Sequence, residues 1–241
     1  MPKVRIYTNS KIIKNVEVNI DKSQYHYLIN VMRKKNGDKI FIFNEDSGEW
    51  EAKLYSKKFV TVIPLNKIEK KECNLDIWIC FSLIKPRNLN FLVEKVSELG
   101  VRKILPISTE HSFKAKINVT RLKRIALEAV EQSQGLIIPD VENVLSFDNV
   151  LSKWDSSRTI IFCDEDCDNS FLESRKIFLE KEKFAIFLGP VGGWSSNERK
   201  LISNQKNCLS VSLGNRLLKA DTAAITALSS LRLLKEKSMN V

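Results

Sequence analysis

Four short stretches constrain the chain most. Residues 76–84 (DIWICFSLI), 158–163 (RTIIFC), 184–188 (FAIFL) and 208–213 (CLSVSL) are apolar almost without interruption. A strand with one wet face alternates apolar and polar side chains, so such runs predict strands covered on both faces, as in a parallel sheet. The intervening segments fit. Leu89, Leu92, Val93, Val96 and Leu99 recur at helical spacing and stop at Gly100, a C-terminal cap. Further helices are predicted after Thr120, with Leu122, Ile125, Ala126 and Val130 on one face, over residues 171–183, from Ser195, and from Asp221 to about Lys237. Alternating strands and helices predict an α/β domain with right-handed crossovers.

The first seventy residues read differently. Runs at 4–7, 16–20, 39–43 and 59–64 are β-prone, and Asn36-Gly37-Asp38 and Asp46-Ser47-Gly48 carry turn chemistry. One helical stretch, 25–34, interrupts them. This predicts a small β-barrel, with the charged segment 66–72 as a linker and a boundary near residue 70. Residues 1–72 hold 15 basic and 9 acidic side chains, a net +6 out of +10 for the chain. That excess points to a polyanionic partner such as nucleic acid.

Five cysteines without a CxxC pair, and only His26 and His111, argue against a zinc site or a disulfide scaffold. The start lacks the apolar core of a signal peptide, and no apolar run reaches the roughly 20 residues of a membrane span. A reducing cytoplasm is the expected setting.

Glycine is scarce, yet three of eight fall within Gly189-Pro190-Val191-Gly192-Gly193, directly after an apolar strand. Backbone without a Cβ lets a ligand approach closely. The P-loop lysine and the GxGxxG pattern are both missing, which disfavours a triphosphate or dinucleotide. Ser195 and Glu198 have capping-box spacing. A second strand-loop-helix unit, 213–224 (LGNRLLKADTAA), leads into a small-sided helix face at Ala223, Ala224 and Ala227, with Asp221 or Thr222 as the expected N-cap.

Residues 95–101 (KVSELGV), 104–112 (ILPISTEHS), 124–133 (RIALEAVEQS), 189–195 (GPVGGWS) with Glu198, and 213–224 together resemble the successive motifs of the RsmE family. These are bacterial methyltransferases acting on N3 of a uridine in 16S ribosomal RNA. Residues 25–38 (YHYLINVMRKKNGD), with Arg33 at their centre, resemble the family's N-terminal PUA-like domain. The resemblance covers nearly the whole chain. It implies a PUA-like β-barrel over residues 1–70, followed over 71–241 by an α/β SPOUT-type domain with a parallel sheet and a C-terminal trefoil knot. It also implies a homodimer through the SPOUT domain, with the last helix in the interface. S-adenosylmethionine is the implied cofactor, held by Leu188, Gly189, Gly193, Leu213, Gly214, Leu217, Leu218 and Thr222, with no metal and no membrane. The implied substrate is 16S rRNA in the assembled small subunit. Arg5, Arg33, Lys34, Lys35, Lys85, Arg121 and Arg124 are the candidates for RNA contact, with Lys123 beside them. Basic residues in the first turn of a helix oppose its dipole, a local cost that RNA binding would explain.

The chain departs from the family where the chemistry lies. Val191 replaces the acid of a GPEGG loop, Lys219, Ala220 and Asp221 replace Arg, Thr and Glu of an LRTETA motif, His111 replaces an arginine, and Gly135 stands where an arginine often follows EQS. Lys for Arg keeps the charge but loses bidentate geometry. Glu198, Lys219, Asp221 and Gln132, with Glu131, are the polar candidates for the catalytic site. The competing readings are an RNA-binding relative that has drifted from efficient turnover, and a related knotted methyltransferase acting on tRNA.

Overall fold

The computed structural model describes residues 3–56, 60–69, 75–114 and 116–239. The chain divides into two compact units: Met1–Glu72 with Val130–Ile137, and Cys73–Ala129 with Ile138–Val241. Residues 70–74, which include the end of the expected linker and Cys73, and Phe59 lie outside the described residues.

The first unit contains β1 (Arg5–Tyr7), β2 (Val18–Asn19), α1 (Lys22–His26), β3 (Lys39–Asn44), β4 (Gly48–Ser56) and β5 (Val60–Ile68). They form one mixed sheet in the order β1-β3-β4-β5-β2, with β1 and β3 parallel and the other pairs antiparallel. Its core gathers Ile6, Leu28, Ile40, Ile42, Leu54 and Val62. Asn66 and Ile68, read from sequence as linker, belong to β5. The expected helix at 25–34 starts earlier, because Asp21 and Gln24 form a reciprocal capping box, and passes into a π-turn over Tyr27–Val31. It ends at Arg33, whose φ of 52° is left-handed.

The second unit opens with β6 (Asp76–Ser82), α2 (Pro86–Glu98), β7 (Lys103–Ser108) and α3 (Val119–Ser133), whose residues from Val130 onward count with the first unit. There follow β8 (Asp140–Val141), β9 (Leu145–Ser146), α4 (Phe147–Ser152), β10 (Thr159–Cys163), α5 (Arg175–Glu180), β11 (Lys183–Leu188), α6 (Ser196–Ser203), β12 (Cys208–Val211) and α7 (Ala220–Met239). The sheet runs β12-β10-β11-β6-β7-β8, with β9 also on β7, and every pairing is parallel. Alternate residues enter two cores. Ile77, Ile79, Phe81, Phe184, Ile186 and Leu188 meet α2, α3, α5 and α7 on one face. Cys80, Ile160, Phe162, Ala185 and Phe187 meet α4, Trp194 and Ile202 of α6 on the other. Two covered faces account for the uninterrupted apolar runs.

Gly100 follows α2 with φ of 75°, as the cap requires. The helix expected over 171–183 is confined to α5. Ser170 N–H donates to Glu173 and Glu173 N–H to Ser170 Oγ, while Phe171 N–H donates to the Ser212 carbonyl, so this segment is spent on turn and bridge contacts. The small face of α7 packs inward, with Ala223, Ala224 and Ala227 buried in the chain's own core, while Leu233 of that helix is exposed.

Candidate active site at the carboxyl edge of the parallel sheet

All seven strands end on one edge. From β6 the chain crosses to β7 through α2 on one face, whereas from neighbouring β11 it crosses to β12 through α6 on the other. Connections leaving adjacent strands in opposite directions open a crevice at their carboxyl ends, the usual ligand position in open α/β sheets. The glycine-rich segment 189–193 is the exit of β11 and lies at that switch point.

Each glycine has its own reason. Gly193 has φ of 73°, and a Cβ there would lie 3.5 Å from Glu165 Oε1. Gly192 packs on His111, whose Nδ1 is 3.1 Å from the Gly193 carbonyl. At Gly189 a Cβ would come within 2.7 Å of Trp194 Nε1, so the space its missing side chain leaves is filled by the chain's own indole. Gly214, on the exit of β12, has φ of 115°, and a Cβ there would meet nothing within 4 Å. The Cβ position is thus open at Gly214, in contact with Glu165 at Gly193 and blocked by Trp194 at Gly189.

Glu198 is buried, and both carboxylate oxygens are engaged. Oε2 accepts Ser195 N–H at 3.0 Å, completing the capping box, and Oε1 accepts Glu110 N–H at 2.8 Å. A carboxylate holding these two backbone donors joins the β7 exit to the start of α6. Lys219 is exposed and serves as the residue before α7, two positions before Asp221, the nearer of the expected caps. Asp221 lies in the first turn and accepts Thr222 N–H, where a negative charge suits the helix dipole. Gln132 is exposed near the end of α3 and belongs to the first unit, whereas Glu198, Lys219 and Asp221 belong to the second.

Among the candidate cofactor residues, Leu188 is buried in the core and can offer a ligand only its backbone. Leu213 and Leu218 are half-buried against that core, Leu217 is 82% exposed, and Thr222 is exposed. The exit of β12 is tied to the exit of β10: Asp164 N–H donates to Val211 O, Ser212 N–H to Asn169 O and Phe171 N–H to Ser212 O.

Charge changes sign along this edge. The β10 exit carries Asp164, Glu165 and Asp166, all bridged by Arg199 of α6. Desolvation and these carboxylates act on the Arg199 guanidinium in opposite senses, and its pKa is raised. Beyond the glycine segment, the β6 exit carries exposed Lys85 as the residue before α2, and the β7 exit leads through Lys114 and Lys116 to Arg121, Lys123 and Arg124 on α3. Neither α2 nor α3 has an acid in its first turn. Phe113, Lys114 and Lys116 escaped the motif reading, although an aromatic residue between His111 and two lysines was the available signal.

Arg5 is a correction. It is 2% exposed, its Nε donates to Glu49, and its Nη atoms donate to the carbonyls of Val130, Glu131 and Gly135 within the first unit. The guanidinium also lies 4.0 Å from the centre of the Phe43 ring. A buried cation with four protein acceptors is a structural clamp and cannot reach a phosphate. Arg33 and Lys35 are exposed, and Lys34 is half-buried. Burial raises the Cys163 and Cys208 thiols to about 12, so both remain protonated packing groups.

The chain matches a family model described as an RNA methyltransferase domain over residues 71–232 and one described as an RNA methyltransferase PUA domain over residues 20–65. The ribosomal RNA small subunit methyltransferase E of Rickettsia conorii is 30% identical over 233 residues, covering 95% of both chains. Its counterpart from Bacillus subtilis is 27% identical, covering 93% of both. Among solved structures, a ribosomal RNA small subunit methyltransferase E from Neisseria gonorrhoeae bound to S-adenosyl methionine superposes with a TM-score of 0.86 at 22% identity, covering 96% of this chain and 98% of that one. A methyltransferase from Legionella pneumophila in complex with the same cofactor gives 0.84 at 24% identity, covering 97% of this chain and 98% of that one. With both of its units matched and nearly its whole length shared with these relatives, the chain belongs to the ribosomal RNA small subunit methyltransferase E family of RNA methyltransferases.

Proposed function

We propose that this protein transfers a methyl group from S-adenosylmethionine to N3 of a uridine in 16S rRNA, acting on the assembled small subunit. The observation that carries this reading is the pair of glycine turns with positive φ, Gly193 and Gly214, at the carboxyl edge of a sheet belonging to this family. A ligand without phosphates suits them, since it needs close backbone and an apolar slot from Leu213 and Leu218. The cofactor supplies an activated methyl on a positive sulfur. The acidic half of the edge, with Glu165 beside Gly193, favours a cation there, while the basic half favours phosphate.

The protein's own part is binding and orientation. Gly193 and Gly214 present backbone groups, and Glu198 keeps the β7 exit against the glycine segment. Lys85, Arg121 and Arg124, and Arg33, Lys34 and Lys35 on the first unit, hold the RNA backbone, so the target base can be presented out of its stack. Loss of the N3 proton leaves an anion, and Lys219, exposed just before α7, is the cation we assign to stabilise it. Gln132 and Asp221 are polar groups available to orient the base. The bridge of Ser212 to Asn169 and Phe171 supports a C-terminal segment threaded as a trefoil knot. Exposed Leu217 and Leu233 support a homodimer through the second unit, and the setting we propose is the cytoplasm.

The test is methyl transfer from labelled donor to purified 30S subunits. Incorporation on a uridine is expected. Cofactor binding without incorporation would favour the drifted RNA-binding reading, and recovery on Val191→Glu with Lys219→Arg would locate the cause.

A further inference from the structure

A cavity of about 600 Å³ lies at the exits of β6 and β7, within the second unit. That volume is in the range of roughly 300–1,000 Å³ usual for small-ligand sites. Leu83 and Ile117 form apolar wall, Ser108 offers a hydroxyl, and Phe113, Lys114 and Lys116 stand on its rim. Phe113 is 42% exposed, large for an aromatic ring with no polar handle. Its backbone is tethered: its N–H donates to the Leu83 carbonyl at 2.9 Å. Among the described residues no carboxylate lines the cavity, and neither Lys114 nor Lys116 makes an ion pair. The same loop is fastened to the glycine segment by His111 on Gly193 and to the start of α6 by Glu110 on Glu198.

We propose that this cavity receives an unstacked nucleotide of the RNA substrate, with its base stacked on Phe113 and its flanking phosphates on Lys114 and Lys116. Three features select this occupant. An exposed aromatic ring on a tethered backbone suits any nucleobase, because every base has a π-face. Two unpaired lysines suit the phosphates on either side. The wall has no acid that would repel them. The loop that carries the ring also braces the glycine segment, so a seated nucleotide sets the RNA against the site where methyl transfer is proposed. The inference rests on that reading for the identity of the RNA as substrate, but the binding chemistry is separable from it.

The test uses the full chain and a short fluorescein-labelled oligouridylate, read by anisotropy. Phe113→Ala should weaken binding on the order of tenfold, within the range of base-aromatic stacking, and Phe113→Trp should restore it. Lys114→Ala with Lys116→Ala should flatten the salt dependence by about 0.7 in the log-log slope for each lost phosphate contact. S-adenosylmethionine binding to these variants should match that of the unaltered chain, which guards against a folding defect. Equal oligouridylate affinity for Phe113→Ala and the unaltered chain would overturn the proposal, as would full rescue by Phe113→Leu, which has no ring to stack. If the binding pattern holds but the unaltered chain transfers no methyl group to 30S subunits, the cavity assignment stands and the proposed activity fails.

Discussion

Glu198 and Glu110 are joined by a 2.8 Å hydrogen bond in which the buried carboxylate accepts the backbone N–H of a residue 88 positions away. The same carboxylate caps its own helix through Ser195. One acid therefore fixes two of the loops at the carboxyl edge. Glu198→Ala leaves two backbone donors unsatisfied, and hydrogen bonds to charged acceptors contribute about 1.5–3 kcal/mol each. We expect a loss of about 2 kcal/mol or more in denaturant unfolding, with a raised KM for the cofactor and an unaltered pH profile of kcat. A loss of kcat by orders of magnitude at unchanged KM and stability would instead make Glu198 a proton-transfer group.

Gly189 and Trp194 test how tightly the glycine segment is packed. A methyl at Gly189 would meet the indole at 2.7 Å, so Gly189→Ala should lower stability by about 1–3 kcal/mol, as overpacking does. Adding Trp194→Phe removes the atom in conflict and should recover part of that loss. Thermal melts of the two single variants and the double variant give the coupling directly. Strict additivity would contradict the contact.

Two arginines of the first unit should respond in opposite ways. Arg5 pairs with Glu49 with side chains 1% and 0% exposed, and removing one partner of a buried pair costs about 3–5 kcal/mol. Arg5→Ala should therefore unfold readily. Arg33 has a left-handed φ of 52°, a conformation that disfavours residues with a Cβ by about 1–2 kcal/mol. Arg33→Gly should stabilise the protein by up to about 1 kcal/mol while weakening its affinity for 16S rRNA fragments. Chemical denaturation and RNA titration on the same samples separate the two effects.

Burial pushes the Cys163 thiol up to about 12, against about 8.5 in an unfolded chain. The folded state thus keeps a proton that the unfolded state loses, so this contribution to stability is complete below about pH 8.5 and declines as pH rises toward 12. The slope reaches about 1.4 kcal/mol per pH unit once the unfolded thiol is ionised. Unfolding free energies measured from about pH 8 to 10 should fall less steeply for Cys163→Ala than for the unaltered chain. Parallel slopes would contradict the assignment.

The parallel sheet was legible in the sequence because strands covered on both faces need apolar residues at every position. β4 carries the other strand signature, Trp50, Ala52 and Leu54 toward the first unit's core with Glu49, Glu51 and Lys53 between them, a period of two that a search for uninterrupted apolar runs passes over. β7 carries Pro106, a residue that argues against an interior strand. At the candidate site, charge and glycine content pointed to the carboxyl edge of the sheet but could not distinguish a buried arginine from a surface one. Arg5 is invisible as a clamp until Glu49 and the carbonyls of Val130, Glu131 and Gly135 surround it. The glycines behaved similarly: Gly214 is open, whereas the space at Gly189 already belongs to Trp194, and only tertiary packing tells them apart.

The measurement closest to the central claim is mass-spectrometric mapping of modified uridines in 16S rRNA from cells with and without the gene. One uridine should carry an N3 methyl group only when the gene is present, and purified protein with S-adenosylmethionine should restore it on 30S subunits from the deletion strain. Identical uridine modification in both strains, with no methyl transfer to the deletion-strain subunits, would contradict the account.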